Sequence, residues 1–405
     1  MSFNVLQLIG SFHQGGSERQ AVQLTRLLNE DGRCRVHLAT LDESGLLRGD
    51  AERLGLGEIP KFPLTSFYDA NFIKQVRRFA ALLREREIEV VHTHDFYTNV
   101  FGMIGATLAG VPVCIASKRE TLGMRSRAQT FVQRGAFKLA HHVVVNAEAV
   151  RRQLVAEGVR TEKITTVYNG LDMSRVTPPG NLSRAETLAN FALPTDEPLH
   201  FVTIVANLRH DVKDHPTFLR AARRVRQEMP DARFVLAGEG ELDGRLRALA
   251  SELGIERDVF FMGRCERVAE LLSISDVCVL SSKAEGFSNS ILEYMAAARP
   301  VVVTDVGGAR EAVTDGETGY VVPVGDDEVM AVRIVSLLRD RERAGAMGER
   351  GRRVVAQKFS CEAQLQQTLG LYEKLLAEAN PAFRKVLDRA FKKRIEPRMN
   401  TNEHE

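Results

Sequence analysis

The 405-residue sequence has no tryptophan, no Asp-x-Asp pair that could clamp a metal ion, and only five cysteines. The cysteines are dispersed, and none forms a Cys-x-x-Cys pair. We therefore expect no disulfide framework and no metal site, and the cysteine usage favours a reducing, cytoplasmic location. The N-terminus has no basic segment followed by a small-residue cleavage site, so a secretion signal is not predicted.

The sequence also lacks an excess of charge of one sign. Lys and Arg number 55 against 53 Asp and Glu, which disfavours a polybasic nucleic-acid-binding protein. The balance is uneven along the chain, because residues 1–180 carry 23 basic and 18 acidic side chains while residues 181–365 carry 24 and 29. A basic first half suits an anionic partner, and chance scatter between two domains explains the difference equally well.

A single uncharged run, residues 96–117, is long enough to raise the question of a membrane span. The turn Gly110-Val111-Pro112 divides it. The run therefore predicts a buried helix followed by a short buried strand rather than a spanning segment.

Short β-branched runs alternate with amphipathic stretches along most of the chain, which predicts an α/β protein with parallel, doubly wound sheets. The rhythm pauses over the Pro-rich stretch Met173–Pro198 and then restarts, so we expect two Rossmann-like domains joined by a linker. The expected boundaries are 1–180, 181–365 and a C-terminal helical segment, 366–405. The predicted strands are Val5–Ile9, Val36–Thr40, Glu89–His92, Val113–Ala116, His142–Val145, Phe201–Val205, Arg233–Ala237, Val259–Phe261, Val277–Leu280 and Val301–Val303.

The strongest chemical signal is the segment Glu285–Glu293, which follows the predicted strand Val277–Leu280 and opens a helix. Open α/β sheets bind ligands where strands end, and helix N-termini favour phosphate. Glu285 and Glu293 are placed to face one cleft, where ionised carboxylates accept strong hydrogen bonds from sugar hydroxyls.

A second signal is the loop Asn207–His215, which follows the first strand of the second predicted domain. It carries Arg209 and Lys213, and a guanidinium and an ammonium together suit a diphosphate. The first strand–helix turn of the chain, Gly10–Glu18, is not a Gly-x-Gly-x-x-Gly fingerprint, which disfavours a dinucleotide site. Its Gly15-Gly16 pair still allows close approach of a phosphate or sugar.

Nearly the whole chain resembles a retaining, nucleotide-sugar-dependent glycosyltransferase of family 4, an enzyme family with the GT-B fold of two tandem Rossmann-like domains. The most specific element is Glu285–Glu293, a Glu-x7-Glu signature with Gly-Phe after its first glutamate. The segments that carry the resemblance, in chain order, are Gly15–Glu18, Asn169–Asp172, Asn207–His215, Glu285–Glu293, Val306–Glu311 and Asp315–Gly319.

The resemblance implies catalytic roles for three residues. Glu285 holds hydroxyls of the donor sugar near the reacting centre, while Arg209 and Lys213 stabilise the leaving diphosphate. Glu293 binds the ribose. The implied donor is a UDP- or GDP-sugar, and no cofactor is required.

Further donor contacts follow from the same resemblance. Backbone N–H groups around Gly286, Phe287 and Ser288 meet the diphosphate, and Gly16 leaves room for it from the opposite domain. Arg264 follows the strand whose end meets the nucleotide base. The implied acceptor is a glycan or lipid-linked saccharide in cell-surface polysaccharide or glycolipid synthesis.

The chain departs from the family on the acceptor side. Many relatives carry a histidine just after the strand that ends here at Ile115–Ser117, whereas this sequence continues Lys118-Arg119. His94, at another strand end, is an alternative cleft residue or a structural one. Lys118 and Arg119 suit an acceptor phosphate, or they are ordinary surface charges.

The tail, residues 381–398, alternates apolar and basic residues, which predicts a basic amphipathic helix. Such a helix either lies on an anionic membrane at the inner face of the plasma membrane or packs on the first domain, and packing is favoured slightly. The resemblance implies that the helix Cys361–Ala379 crosses back to the first domain. Two other function classes stay open: a sugar-nucleotide epimerase or phosphorylase, and a catalytically silent nucleotide-binding module.

Overall fold

A computed structural model of the protein describes residues 3–121, 126–178, 180, 182–195 and 198–380. Its described strands form two six-stranded sheets in which every pairing is parallel. This confirms the expected α/β class with doubly wound sheets.

The first sheet has the strand order β2-β1-β3-β4-β5-β6. Its strands are β1 (Phe3–Ile9), β2 (Cys34–Thr40), β3 (Val90–Thr93), β4 (Val113–Lys118), β5 (His142–Val145) and β6 (Ile164–Thr166). The helices between them are α1 (Gly16–Asp31), α2 (Arg48–Glu52), α3 (Ala70–Glu85), α4 (Phe96–Ala109), α5 (Arg127–Leu139) and α6 (Glu148–Ala156).

The second sheet has the order β12-β11-β10-β7-β8-β9. Its strands are β7 (His200–Val205), β8 (Ala232–Ala237), β9 (Val259–Phe261), β10 (Val277–Leu280), β11 (Val301–Thr304) and β12 (Tyr320–Val322). The remaining α-helices are α7 (Arg184–Asn190), α8 (His215–Glu228), α9 (Asp243–Glu252), α10 (Val268–Ile274), α11 (Asn289–Ala296), α12 (Ala309–Ala312), α13 (Asp327–Arg339), α14 (Arg341–Lys358) and α15 (Cys361–Ala379). Single turns of 3₁₀-helix occupy Thr161–Lys163, Met173–Val176 and Asp211–Lys213.

All ten predicted strands are present, and the uncharged run is the expected helix and strand. Helix α4 ends at Ala109, and the next residue, Gly110, has a φ of 77° in the left-handed region that closes helices. The buried strand β4 follows. Among the described residues, no helix is both long enough and apolar enough to cross a bilayer. The sequence did not predict β6 and β12, which are each three residues long.

The expected linker Met173–Pro198 contains more structure than its prolines suggest. Helix α7 lies within it and begins with a capping box, in which the Ser183 hydroxyl accepts from the Glu186 backbone N–H. Leu188 is buried against Phe201 of the second sheet, so this helix is part of the second domain's core.

The chain crosses from the first domain to the second near Leu171 and returns near Phe359, and the two crossing segments lie side by side. The backbone N–H of Leu171, on the way out, donates to the carbonyl of Phe359 on the way back at 2.8 Å. Helix α15 then packs on the first sheet, where the Tyr372 hydroxyl bonds Gln7 Nε2 at 3.1 Å and His92 Nδ1 at 2.6 Å. The basic tail predicted over residues 381–398 lies outside the described residues.

Candidate active site

The loop between β10 and α11 presents the start of α11 to the first domain. Two glycines of the following segment allow this, because a Cβ at Gly307 would lie 2.2 Å from the Glu285 carbonyl oxygen, and the Gly308 N–H donates to the Gly286 carbonyl at 2.7 Å. In the described chain, Ser288 makes no side-chain cap on α11. The first N–H groups of this eight-residue helix therefore remain available to an anion.

Glu285 and Lys213 form a close ion pair beside this helix start. The Lys213 ammonium lies 2.5 Å from Glu285 Oε1, and the Ser282 hydroxyl donates to the same oxygen at 2.6 Å. Both charged side chains are mostly enclosed, with 17% and 13% of their surfaces exposed. The backbone of Lys213 is also fixed, because the Ser281 hydroxyl donates to the Lys213 carbonyl at 2.9 Å. Lys213 and Glu285 are 72 positions apart in the sequence, and both were predicted to be catalytic. The fold brings them into contact.

Arg209 lies on the same loop as Lys213 and has a different partner. Its side chain is 55% exposed and forms a 3.5 Å ion pair with Glu239. Arg264, after β9, is 32% exposed and pairs with Glu266 at 3.0 Å. Contact of either guanidinium with a donor stays a prediction.

Glu293 lies in the first turns of α11 and is buried. Its Oε1 is 3.6 Å from the Arg19 guanidinium of α1, so this ion pair joins the two domains. Burial raises the pKa of Glu293, and the positive charges of Arg19 and Arg175 oppose the increase. Sequence reasoning missed Arg19, although its place directly after Gly15–Glu18 was a usable signal.

The first strand–helix turn lies over the start of α11. A Cβ at Gly16 would be 3.5 Å from Asn289 Nδ2, which makes a 3.5 Å hydrogen bond to the Gly16 carbonyl. Gln20 Nε2 also donates to Asn289 Oδ1 at 3.3 Å. The small residue at position 16 therefore borders the predicted phosphate site from the opposite domain.

The Phe287 segment is fixed by contacts across the domain boundary. Asn169 Nδ2 donates to the Phe287 carbonyl at 3.0 Å. The Phe287 ring packs between Tyr168 and Phe359, each with its ring centroid 5.0 Å away. Ser288 is buried beside it. These contacts orient the backbone that the resemblance assigns to the diphosphate.

The three residues predicted for the acceptor side occupy different environments. His94 is enclosed in the first domain, where its Nε2 bonds Gln7 Oε1 at 2.7 Å and burial holds its pKa well below the usual range. Lys118 is buried and lies 3.5 Å from Glu157. Arg119 reaches the domain boundary, where it donates to Asn169 Oδ1 at 2.9 Å. Burial lowers the pKa of Arg119 to about 10. Acceptor contact by these residues stays a prediction.

A cavity of about 460 Å³ opens between the domains next to the Glu285 loop. Its walls are mostly apolar, and its polar side chains come from both domains, with Arg134, Gln153 and Glu157 on one side and Lys283 on the other. Within the described ranges, no group of three or more His, Cys, Asp or Glu side chains is placed to hold a metal ion.

Comparison with known proteins gives the class that this architecture defines. Residues 14–175 match Glycosyltransferase Family 4, and residues 186–354 match Glycosyl transferases group 1. The chain is 33% identical over 311 residues to N-acetyl-alpha-D-glucosaminyl L-malate synthase of Bacillus anthracis, which covers 74% of this chain and 78% of that enzyme. EpsD of Bacillus subtilis is 31% identical over 57% of this chain, and the match spans 59% of EpsD.

The fold is shared with solved structures. HepE of Anabaena, whose crystal structure contains UDP, superposes with a TM-score of 0.79 at 21% identity, over 92% of this chain and 100% of that one. Two Rossmann-like sheets facing one site are the GT-B architecture. The chain belongs to glycosyltransferase family 4, and it is a glycosyltransferase.

Proposed function

We propose that the protein transfers a sugar from a UDP- or GDP-sugar to a hydroxyl of a glycan or lipid-linked saccharide, with retention at the anomeric carbon. Cell-surface polysaccharide or glycolipid synthesis is the proposed setting. The observation that carries this proposal is the Lys213–Glu285 pair beside the open N-terminus of α11, at the boundary of the two domains.

Lys213 and the start of α11 are proposed to hold the leaving diphosphate. Negative charge grows on this group as the glycosidic bond breaks, so fixed cations and N–H dipoles there stabilise the transition state more than the ground state. Each charge-assisted hydrogen bond contributes about 1.5–3 kcal/mol. Arg209 is proposed to add a second cation, after exchanging Glu239 for the diphosphate.

Glu285 is proposed to orient the transferred sugar, and Glu293 the ribose. An ionised carboxylate accepts hydrogen bonds from hydroxyls, and low exposure strengthens these bonds. Because Glu285 is paired with Lys213, donor binding has to give both groups new partners: hydroxyls for Glu285 and phosphate oxygens for Lys213. Glu293 exchanges Arg19 for ribose in the same way.

Retention is proposed to follow from attack on the face that the diphosphate leaves. The departing phosphate oxygen takes the proton of the acceptor hydroxyl, so no separate protein base is needed. The acceptor is proposed to enter through the cavity between the domains, where a few polar side chains on a mostly apolar wall can orient a ligand. No metal or bound cofactor is assigned to this chemistry.

The domain and cellular assignments are also proposals. The two domains are placed at residues 1–180 and 181–365, with the remaining residues forming a C-terminal segment that begins within α15. The enzyme is proposed to act in the cytoplasm. Peripheral association with an anionic membrane, through the basic tail, is proposed as the way in which it reaches a lipid-linked acceptor.

A donor screen tests the proposed function. The purified full chain is incubated with individual UDP- and GDP-sugars and an acceptor extract, and release of free nucleoside diphosphate is measured. We expect one donor to be consumed, and Lys213→Ala and Glu285→Gln to lower kcat by about 100-fold or more. Lys138→Ala, an exposed lysine at the end of α5, is the matched control and retains wild-type turnover.

The outcomes separate the alternatives. Isomerised donor without nucleotide release indicates an epimerase, and phosphate-dependent release of sugar phosphate indicates a phosphorylase. Binding of UDP or GDP without turnover indicates a silent nucleotide-binding module. Near-wild-type transfer by Lys213→Ala or Glu285→Gln contradicts the proposed roles of those residues.

A further inference from the structure

The residues that directly follow two neighbouring strands of the first sheet each carry a buried polar atom that lacks a hydrogen-bond partner among the described residues. Lys118 of β4 is in register with Val145 of β5, so Arg119 and Asn146 are the next residues on adjacent strands. Among the described residues, Arg119 Nε and Asn146 Oδ1 have no hydrogen-bond partner, although both atoms are buried. A buried polar atom without a partner destabilises a protein by about 1–3 kcal/mol, so two side by side require an explanation.

The orientation of Asn146 is determined by its other amide atom. Asn146 Nδ2 lies 3.4 Å from the Arg119 carbonyl oxygen, to which only the amino group can donate. The amide oxygen is therefore the atom left unpartnered. A Cβ at Gly286 would lie 2.9 Å from this oxygen and 2.1 Å from the Arg119 carbonyl. Asn146 Oδ1 thus lies against the residue that follows Glu285.

The Arg119 guanidinium faces the same loop. Its Nη1 donates to Asn169 Oδ1, and Asn169 Nδ2 donates to the Phe287 carbonyl. The unpartnered donor and the unpartnered acceptor therefore both lie at the domain boundary, beside the loop that carries Glu285.

The charges around Arg119 favour a neutral ligand. Burial lowers the pKa of Arg119, and the negative charge of Glu18 opposes this decrease. Lys118, the other cation of this segment, is paired with Glu157. A phosphate offers only acceptor oxygens to the unpartnered Asn146 Oδ1, so the site favours a group that fills one donor and one acceptor.

A hydroxyl both accepts and donates at a single atom, whereas carbonyls and carboxylates only accept and ammonium groups only donate. We propose that Arg119 and Asn146 bind one hydroxyl of the transferred sugar. Arg119 Nε–H donates to the hydroxyl oxygen, and the hydroxyl donates to Asn146 Oδ1. This inference rests on the proposed function, and it makes the pair a determinant of donor-sugar specificity.

Monodeoxy donors test the proposal. For the UDP- or GDP-sugar that the donor screen selects, kcat/KM is measured for the parent sugar and for each analogue lacking one hydroxyl. With the wild-type enzyme, we expect kcat/KM for one analogue to be at least tenfold lower than for the parent sugar, because that analogue leaves the site's buried polar atoms unpaired. In Asn146→Ala and Arg119→Lys, we expect kcat/KM for the parent sugar to fall to the value for that analogue. The ratio of the two kcat/KM values then drops below about twofold.

Free nucleotide binding separates this inference from the proposed function. Affinity for UDP or GDP alone, measured by calorimetry, is expected to change less than about twofold in Asn146→Ala, because the amide oxygen that this change removes is proposed to bind the sugar and not the nucleotide. Arg53→Lys, an exposed arginine of the first domain, is the matched control. Should Asn146→Ala unfold, Asn146→Ser and Arg119→Lys give the same comparison.

Two results overturn the inference while leaving the proposed function intact. The first is unchanged discrimination among the deoxy donors in the variants, which indicates a purely structural role. The second is wild-type kcat/KM in both variants. If no nucleotide sugar is consumed by the wild-type enzyme, the proposed function fails and this inference fails with it.

Discussion

At the residue scale, the site is built from carboxylates whose partners come from distant parts of the chain. Glu285 meets Lys213, and Glu293 meets Arg19 across the domain boundary. Burial favours the neutral form of a carboxylate unless a cation or hydrogen-bond donor opposes desolvation. The charge state of Glu293, and so its ability to accept a hydrogen bond from a hydroxyl, therefore depends on Arg19.

Arg19→Ala is expected to move the pH dependence of nucleotide binding to higher pH. Burial raises the pKa of Glu293, and Arg19 opposes this, so removing Arg19 raises the pKa further. The ionised carboxylate binds ribose, so affinity strengthens as pH rises through that pKa and weakens below it. The ratio of the Kd for UDP or GDP at about pH 5.5 to that at about pH 8 should increase several-fold, as measured by calorimetry.

The control for this prediction is Arg26→Ala. Arg26 lies on the same helix and pairs with Glu30 and Asp172 instead. Its pH profile should match that of the wild type. Identical profiles for Arg19→Ala and the wild type would show that the Arg19–Glu293 pair does not govern nucleotide binding.

At the scale of elements, α15 supplies a polar group to the interior of the first domain. The Tyr372 hydroxyl bonds His92 Nδ1 and Gln7 Nε2, and the other ring nitrogen of His92 bonds the Ser117 hydroxyl at 2.8 Å. Burial lowers the pKa of His92 to about 3, so the ring is neutral at physiological pH. A helix that follows the second domain thus completes the core of the first.

Tyr372→Phe is expected to lower the free energy of unfolding by about 1–3 kcal/mol. The change removes one hydroxyl and leaves Gln7 and His92, which are both buried, without that bond. Urea denaturation followed by circular dichroism measures the difference. Tyr68→Phe, at a side chain that is 90% exposed, should leave the midpoint unchanged. A Tyr372→Phe midpoint equal to that of the wild type would refute the stabilising role of the Tyr372 hydroxyl.

At the scale of the whole molecule, a carboxylate of the second domain caps a helix of the first. Glu311 Oε2 accepts from the Glu148 N–H at 2.7 Å, and Oε1 accepts from the Ala149 N–H at 2.8 Å. These are the first N–H groups of α6, where negative charge is favourable. The contact is one of several that hold the two domains against each other around the site.

Glu311→Ala is expected to loosen the closed arrangement of the domains. Two charge-assisted hydrogen bonds are lost, so the open state gains population and kcat/KM falls by about tenfold. Small-angle X-ray scattering should show a larger radius of gyration. Glu317→Ala, at an exposed position in the same region, should preserve both values. Unchanged scattering and kcat/KM in Glu311→Ala would exclude the cap as a determinant of closure.

Local pattern explains which parts of the molecule were predictable. The buried strands are short β-branched runs, and Glu285–Glu293 is recognisable because its residues are adjacent in sequence. Helix α7 was missed because the prolines around it obscured seven residues of helical pattern. Arg19 and Asn146 were missed because their roles arise from partners in the other domain or on a neighbouring strand.

The sequence by itself determined the α/β class, the two sheets, the family and the order of the motifs, because periodicity and short motifs are properties of neighbouring residues. Only the tertiary structure decided that Glu293 faces Arg19, that Lys213 faces Glu285, and that Arg119 and Asn146 end side by side against Gly286. Those contacts depend on strand register and on the packing of one domain against the other, which no local stretch of the chain encodes.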